Sequence, residues 1–235
     1  MLLQCMVPKP LLCYNAAMIH GFIFDLDGTL VDTLGDIATG MNSFLQSRAL
    51  PVHPTEDYRR MVGKGLLHLI SEAVPPVHRQ EARTWYPEVL AIFKDMGAGS
   101  SEPYPGVAET LGKLASLQVP MAVVSNKPDP VTAQVVTQLF PSIPFALVRG
   151  GLDGVPVKPH PAGALEAATA MGLEPKDCGF LGDSDVDMAT ALAAGMIPLG
   201  AAWGFRTRDE LNEAGASMLL DGIHEVLGLI GRQKV

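Results

Sequence analysis

Three short apolar runs in this 235-residue sequence end in residues that can do chemistry together, and a fourth segment adds a cation to them. Gly21 to Phe24 leads into Asp25-Leu26-Asp27-Gly28-Thr29-Leu30, placing two carboxylates two residues apart. Met121 to Val124 leads into Ser125-Asn126-Lys127, and Gly179 to Leu181 into Gly182-Asp183-Ser184-Asp185-Val186-Asp187. Between them, Lys158-Pro159 opens a helix-like segment after a glycine-rich loop. Taken singly these are bland: Asp-Gly is a common turn pair, and a lone Lys before Pro is ordinarily a solvated surface residue. Together they offer carboxylates, a hydroxyl and an ammonium. Those are the groups needed for nucleophilic attack, proton transfer and neutralisation of an anionic centre.

For those groups to meet, the apolar runs must be neighbouring strands. Runs at Gly21 to Phe24, Met121 to Val124, Phe145 to Val148, Gly179 to Leu181 and Ile197 to Leu199 alternate with helix-like segments at Gly106 to Leu117 and Pro161 to Met171. That pattern predicts an α/β fold with a parallel sheet covered on both faces. In such sheets ligands bind outside the carboxyl ends of the strands, where the polar clusters fall. The alternation breaks between Leu34 and Gly99. There Ile37, Met41, Phe44 and Leu45 form one helical stripe, Leu66, Leu67, Ile70 and Val74 a second, and Ala82, Tyr86, Val89, Leu90 and Phe93 a third. Residues 34–99 therefore read as an all-helical insert, with Ser100 to Pro105 as the return linker. Residues 18–33 and 100–235 form the core, and residues 1–17 are an extension the fold does not need.

Composition narrows the function classes. The net charge is −8, from 17 Lys+Arg against 25 Asp+Glu, which argues against a nucleic-acid binder. A 48% apolar share and an 18% charged share suit a folded globular chain. The three cysteines, Cys5, Cys13 and Cys178, have neither metal-binding spacing nor disulfide density, and a reducing cytoplasm is the expected location. The longest uncharged stretch, Met188 to Phe205, is interrupted by Pro198 and is not read as a membrane span. The six histidines show no HxH or HExxH spacing, so zinc has little support.

The four clusters, in the order Asp, Ser, Lys, Asp across residues 25 to 187, resemble the motifs of the haloacid dehalogenase superfamily, and the helical insert resembles that family's cap. The resemblance implies a Rossmann-like core and Mg²⁺-dependent phosphoryl transfer. It makes Asp25 the nucleophile that forms an aspartyl-phosphate and Asp27 the acid that protonates the leaving oxygen and then the base that activates water. Ser125 and the Asn126 amide would bind phosphoryl oxygens, and Lys158 would add charge. Mg²⁺ would be held by the Asp25 carboxylate, the Asp27 main-chain carbonyl and Asp183, with Asp187 an alternate ligand that also orients Lys158. Thr29 is counted with the substrate-binding residues, though its first role would be to shape the turn, with its hydroxyl placed to bond Asp27. Family members that cleave carbon–halogen bonds lack an acid at the second position, so Asp27 favours phosphate chemistry.

Within the family, Val62-Gly63-Lys64-Gly65-Leu66-Leu67-His68-Leu69-Ile70 resembles a cap segment of phosphoglycolate phosphatases, and Lys158-Pro159-His160-Pro161, the Gly195-Met196 pair and Ala202-Trp203-Gly204-Phe205-Arg206 resemble core segments of the same subfamily. This implies a small phosphorylated metabolite as substrate, 2-phosphoglycolate first, with Gly63, Lys64 and Gly65 at the substrate and Lys64 reaching its carboxylate when the lid closes. Pyrophosphate, sugar phosphates, nucleotides and a β-phosphoglucomutase-like reaction are the alternatives. Gly63 and Gly65 also suit a plain break between two helices, and Arg206 is expected to cap a helix, with contact to substrate as its alternative. A phosphorylatable receiver module is the competing class, but a receiver is about half this length and has no cap. A monomer or homodimer is expected.

Overall fold

A computed structural model describes residues 19–231, so the expectations for residues 1–17, and for Cys5 and Cys13, lie outside the described residues. The chain runs β1 (Gly21–Phe24), β2 (Val31–Asp32), α1 (Leu34–Ser47), α2 (Tyr58–Met61), α3 (Leu66–Ala73), α4 (Ala82–Met96) and β3 (Glu102–Pro103). It continues α5 (Val107–Ser116), β4 (Met121–Pro128), α6 (Asp129–Leu139), β5 (Leu147–Gly151), α7 (Ala162–Met171), β6 (Cys178–Gly182), α8 (Asp185–Ala194), β7 (Ile197–Ala201), α9 (Arg208–Glu213) and β8 (Met218–Leu220). Six strands form a parallel sheet in the order β5-β4-β1-β6-β7-β8.

Because strand side chains alternate between faces, each strand feeds two layers. Phe22 and Phe24 of β1, with Met121 and Val123 of β4, belong to the larger apolar cluster; Ile23, Ala122 and Val124 point into the other, against the alanine-rich faces of α7 and α8. Both faces of the sheet are buried, which is why its strands read as continuous apolar runs rather than alternating ones. The chain leaves β1 for β4 and β5 on one side and returns to β6, β7 and β8 on the other. Strand β1 therefore lies at the switch point where open α/β sheets form their ligand crevice.

The helical insert is entered and left through an antiparallel ribbon, β2 with β3, in which Val31 pairs with Pro103 and Asp32 with Glu102. The expected return linker thus contains one strand of this ribbon. Helices α1 and α3 both pack on α4. The first stripe is buried as expected, and most of the other two is as well, with Leu67, Tyr86 and Leu90 the exceptions. Helix α3 buries Leu66, Leu69, Ile70 and Ala73 and leaves Leu67 exposed, and α4 buries Ala82, Trp85, Val89 and Phe93 with Tyr86 and Leu90 only partly covered. Strand β8 and the ribbon, two or three residues each, carry no periodicity by which a sequence reading could find them.

Candidate active site

Strand register brings the chemical residues level. Phe24 pairs with Val123 of β4 and Leu181 of β6. The residues that follow, Asp25, Ser125 and Asp183, therefore emerge side by side at one edge. The Asp25 amide is anchored to the Leu181 carbonyl at 2.9 Å. After β6, Ser184 caps α8 in a capping box in which Asp187 Oδ2 accepts from the Ser184 amide at 3.0 Å and the Ser184 hydroxyl at 2.6 Å. That box fixes Asp187 so that its other oxygen faces Lys158.

Lys158 is the hub. Its ammonium lies 2.7 Å from Asp187 Oδ1 and 2.9 Å from Asp25 Oδ1, and all three side chains are buried. The loop carrying it is tied to β4 by Asn126, whose Oδ1 accepts from the Lys158 amide at 2.9 Å while its Nδ2 donates to the Lys158 carbonyl at 2.8 Å. The same Nδ2 donates to the Gly63 carbonyl of the insert at 2.9 Å. Asp183 accepts from the Thr29 hydroxyl at 3.2 Å and the Phe205 amide at 2.7 Å. Carboxylate oxygens of Asp25, Asp183 and Asp187 all lie within 4.8 Å of one another.

These charges do not balance. Asp25, Asp27, Asp183 and Asp187 face the ammonium groups of Lys158 and Lys127, leaving a formal surplus of two negative charges in a largely buried site. Burial lifts the Asp25 carboxyl to about 7, against the pull of Lys158 and with the push of Asp187. Burial, together with the charges of Asp187 and Asp25, lifts Asp183 to about 8. Burial opposes the Lys158 ammonium, but Asp187 and Asp25 outweigh it and hold its pKa above the usual lysine range. An all-oxygen donor set with a deficit of two positive charges fits a hard divalent cation.

A cleft of about 650 Å³, including its solvent-open mouth, lies between this edge and the helical insert. Its core wall carries Asp25, Asp27, Ser125, Asn126, Lys127 and Asp183, and its roof is largely apolar, from Ile37, Val62, Leu66, Leu69 and Phe93. Gly63 and Gly65 line it, and Lys64 does not. Positive φ at both glycines, 111° and 87°, turns the loop backbone toward Asn126 and leaves Lys64 exposed, outside the cleft lining. Thr29 departs from expectation. It is fully buried outside the cleft lining, and its hydroxyl bonds Asp183 rather than Asp27. The positive φ of Gly28, 80°, makes the turn that carries it there, against a carboxylate with no room for a Cβ.

Two residues took on more than their sequence suggested. Lys127 Nζ contacts both oxygens of Asp27, at 2.9 and 3.3 Å. Its position directly after Ser125-Asn126 was the available signal. Arg206 does cap a helix, though not its own: its guanidinium donates to the carbonyls of Arg59 and Val62 at the C-terminal end of α2, clamping insert to core. Trp203 is structural, its indole N–H donating to the Thr29 carbonyl at 3.0 Å. Among the described residues no helix is long and apolar enough to cross a membrane.

Comparison with known proteins agrees with this geometry. The family description "Haloacid dehalogenase-like hydrolase" matches residues 22–201. A phosphoglycolate phosphatase of Pectobacterium atrosepticum is 33% identical over 91% of this chain and 93% of its own, and one of Chromobacterium violaceum is 31% identical over 92% and 98%. A crystal structure described as a predicted phosphoglycolate phosphatase from Haemophilus somnus superposes with a TM-score of 0.80 at 27% identity, over 90% of this chain and 97% of that one. The chain belongs to the haloacid dehalogenase-like hydrolase family. Within it, the chain is a phosphatase.

Proposed function

We propose that this phosphatase is a Mg²⁺-dependent phosphomonoesterase that works through an aspartyl-phosphate on Asp25, with 2-phosphoglycolate as its substrate. The observation that carries the proposal is the buried cluster of Asp25, Asp183 and Asp187 around Lys158, two positive charges short of neutrality, at the end of the central strand. The substrate is supported by the names of the relatives at about 30% identity over nearly the whole chain. Asp25, Asp183 and the Asp27 carbonyl would hold Mg²⁺, with Asp187 beside them. Bound there, the ion supplies positive charge that lets an anionic nucleophile approach an anionic phosphate.

The chain's own groups account for the remaining needs of phosphoryl transfer, which are positioning and electrostatic stabilisation. Lys158 and the Leu26 amide both engage Asp25 Oδ1, at 2.9 and 2.7 Å, which fixes the carboxylate plane and leaves Oδ2 to attack phosphorus. The Ser125 hydroxyl and the Asn126 amide, on the same wall, would bind phosphoryl oxygens as negative charge spreads over them. Asp27 would protonate the departing oxygen, then take the proton of the water that attacks the acyl phosphate. The apolar roof would exclude bulk water from that intermediate until the insert swings on its ribbon and releases phosphate.

The test is inorganic phosphate release from a panel of phosphate esters and pyrophosphate, with and without Mg²⁺, using Asp25→Asn as the blank. Preference for 2-phosphoglycolate, abolished by EDTA and by the substitution, is the expected result. Metal-dependent release that favours another ester would overturn the substrate, and no release from any would overturn the reaction.

A further inference from the structure

We propose that Lys127 is the residue that recognises the carboxylate of the substrate's leaving group, and that it does so by exchanging its ion pair with Asp27 for one with substrate. This rests on the reading of the cleft as the site of a small carboxylated phosphate ester. It names a residue of the cleft wall that would enforce that choice, where Lys64 lies exposed outside the lining.

The argument is one of elimination along the cleft wall. A carboxylate one carbon from the ester oxygen must lie beside whichever group serves that oxygen, namely Asp27. Above it the roof offers Ile37, Val62, Leu66, Leu69 and Phe93, and a carboxylate pressed against such a surface is costly unless paired. Among the described residues lining the cleft, the cationic side chains are Lys127 and Arg206. Arg206 is tied through both terminal nitrogens to the carbonyls of Arg59 and Val62, and its Nε faces Asp185 at 4.0 Å, so although it keeps further N–H groups, none of its contacts is with Asp27 beside the ester oxygen. Lys158 is enclosed by Asp25 and Asp187 and lies outside the cleft lining. That leaves Lys127, whose side chain is 9% exposed and whose partner in the structure is Asp27 itself.

The pairing gives the recognition a consequence. With Lys127 across both oxygens of Asp27, at 2.9 and 3.3 Å, the carboxylate that must serve the leaving oxygen is already engaged. A substrate carboxylate that draws the ammonium away frees those oxygens for the ester oxygen next to it. An uncharged leaving group of the same shape has nothing to offer Lys127, and the ion pair stays in place. Recognition and readiness for proton transfer would then be one movement of one side chain. A lysine that merely props Asp27 would affect all esters alike.

The experiment compares 2-phosphoglycolate with 2-phosphoglycolamide, which differs in replacing the carboxylate by a neutral amide, on the full-length protein with Mg²⁺. In the wild type, kcat/KM should favour the carboxylate by about 100-fold, the scale of forgoing one charge-assisted hydrogen bond to substrate while the general acid–base group stays engaged. In Lys127→Met that ratio should collapse to within a few-fold of unity, and in Lys127→Arg, which keeps the charge, it should remain above about 10. Equal kcat/KM for the two esters in the wild type would overturn the assignment while leaving the phosphatase reading intact. A Lys127→Met variant that loses activity on both equally, keeping the ratio, would also overturn it and make Lys127 a prop. No release from either ester by the wild type would instead overturn the proposed function.

Discussion

Removing divalent metal should make this protein less stable as pH rises, the reverse of what ordinary paired carboxylates do. In the unfolded chain Asp25 and Asp183 ionise near 4. In the folded, metal-free protein burial keeps them protonated until about 7 and about 8. Their contribution is therefore fully present below pH 4 and is lost as pH climbs through those values. Each group costs about 1.4 kcal/mol per pH unit over that range, so the two together remove about 5 kcal/mol between pH 5 and pH 7. For a domain of this size that is a fall in Tm of roughly 10 to 20 °C. Mg²⁺ at about 100 times its dissociation constant returns about 2.7 kcal/mol, and it should do so at pH 8, where the carboxylates are ionised, far more than at pH 5, where it competes with protons. The assay is thermal unfolding by circular dichroism after EDTA treatment, from pH 5 to 8, with and without Mg²⁺. Asp25→Asn removes one titrating group and relieves Asp183, so its slope should be less than half the wild type's. A metal-free Tm that is flat or rises between pH 5 and 7, or a Mg²⁺ shift equal at pH 5 and pH 8, would refute the charge argument.

Three further expectations come from the same contacts. Arg206→Ala removes the clamp on the end of α2, which should cost about 1–3 kcal/mol and speed hydrogen exchange at residues 58–66; unchanged exchange there would mean that insert and core are held by other contacts. Gly204→Ala would drive a Cβ into Asp183 and the Gly28 carbonyl, so Mg²⁺ affinity by calorimetry should fall at least tenfold; wild-type affinity would show that Asp183 is not needed for the ion. Asp27→Asn should lower kcat by about 10²–10⁴, the usual contribution of a general acid–base group, and a loss under threefold in phosphate-release assays would move that role elsewhere.

The chemistry was more legible in the sequence than its surroundings. Asp25, Ser125, Lys158 and Asp183 could be found because each follows an apolar run, or opens a helix, in an order that a parallel sheet turns into adjacency. Strand β1 appears with the bounds expected of it, Gly21–Phe24, since a fully buried strand leaves little ambiguity. The insert was harder. In Leu66-Leu67-His68-Leu69-Ile70 two stripes a residue apart are nearly equally apolar, and only packing on α4 decides that Leu69 goes in and Leu67 stays out. What Lys127 and Arg206 pair with was beyond reach for another reason. Their partners, Asp27 and the carbonyls of Arg59 and Val62, are 100 and about 145 residues away, and no local pattern encodes a pairing across that distance. For Lys64 the loop's two positive-φ glycines, not the residue between them, settled which side faces the cleft.

The account stands or falls on Asp25 as the nucleophile. Acid quenching of a reaction with phosphorus-labelled 2-phosphoglycolate and Mg²⁺, followed by peptide mapping, tests this directly. The account predicts protein-bound label on the Asp25 peptide within the first turnover and none in Asp25→Asn. Phosphate release with no protein-bound label, from a variant whose residue 25 cannot be phosphorylated, would contradict it.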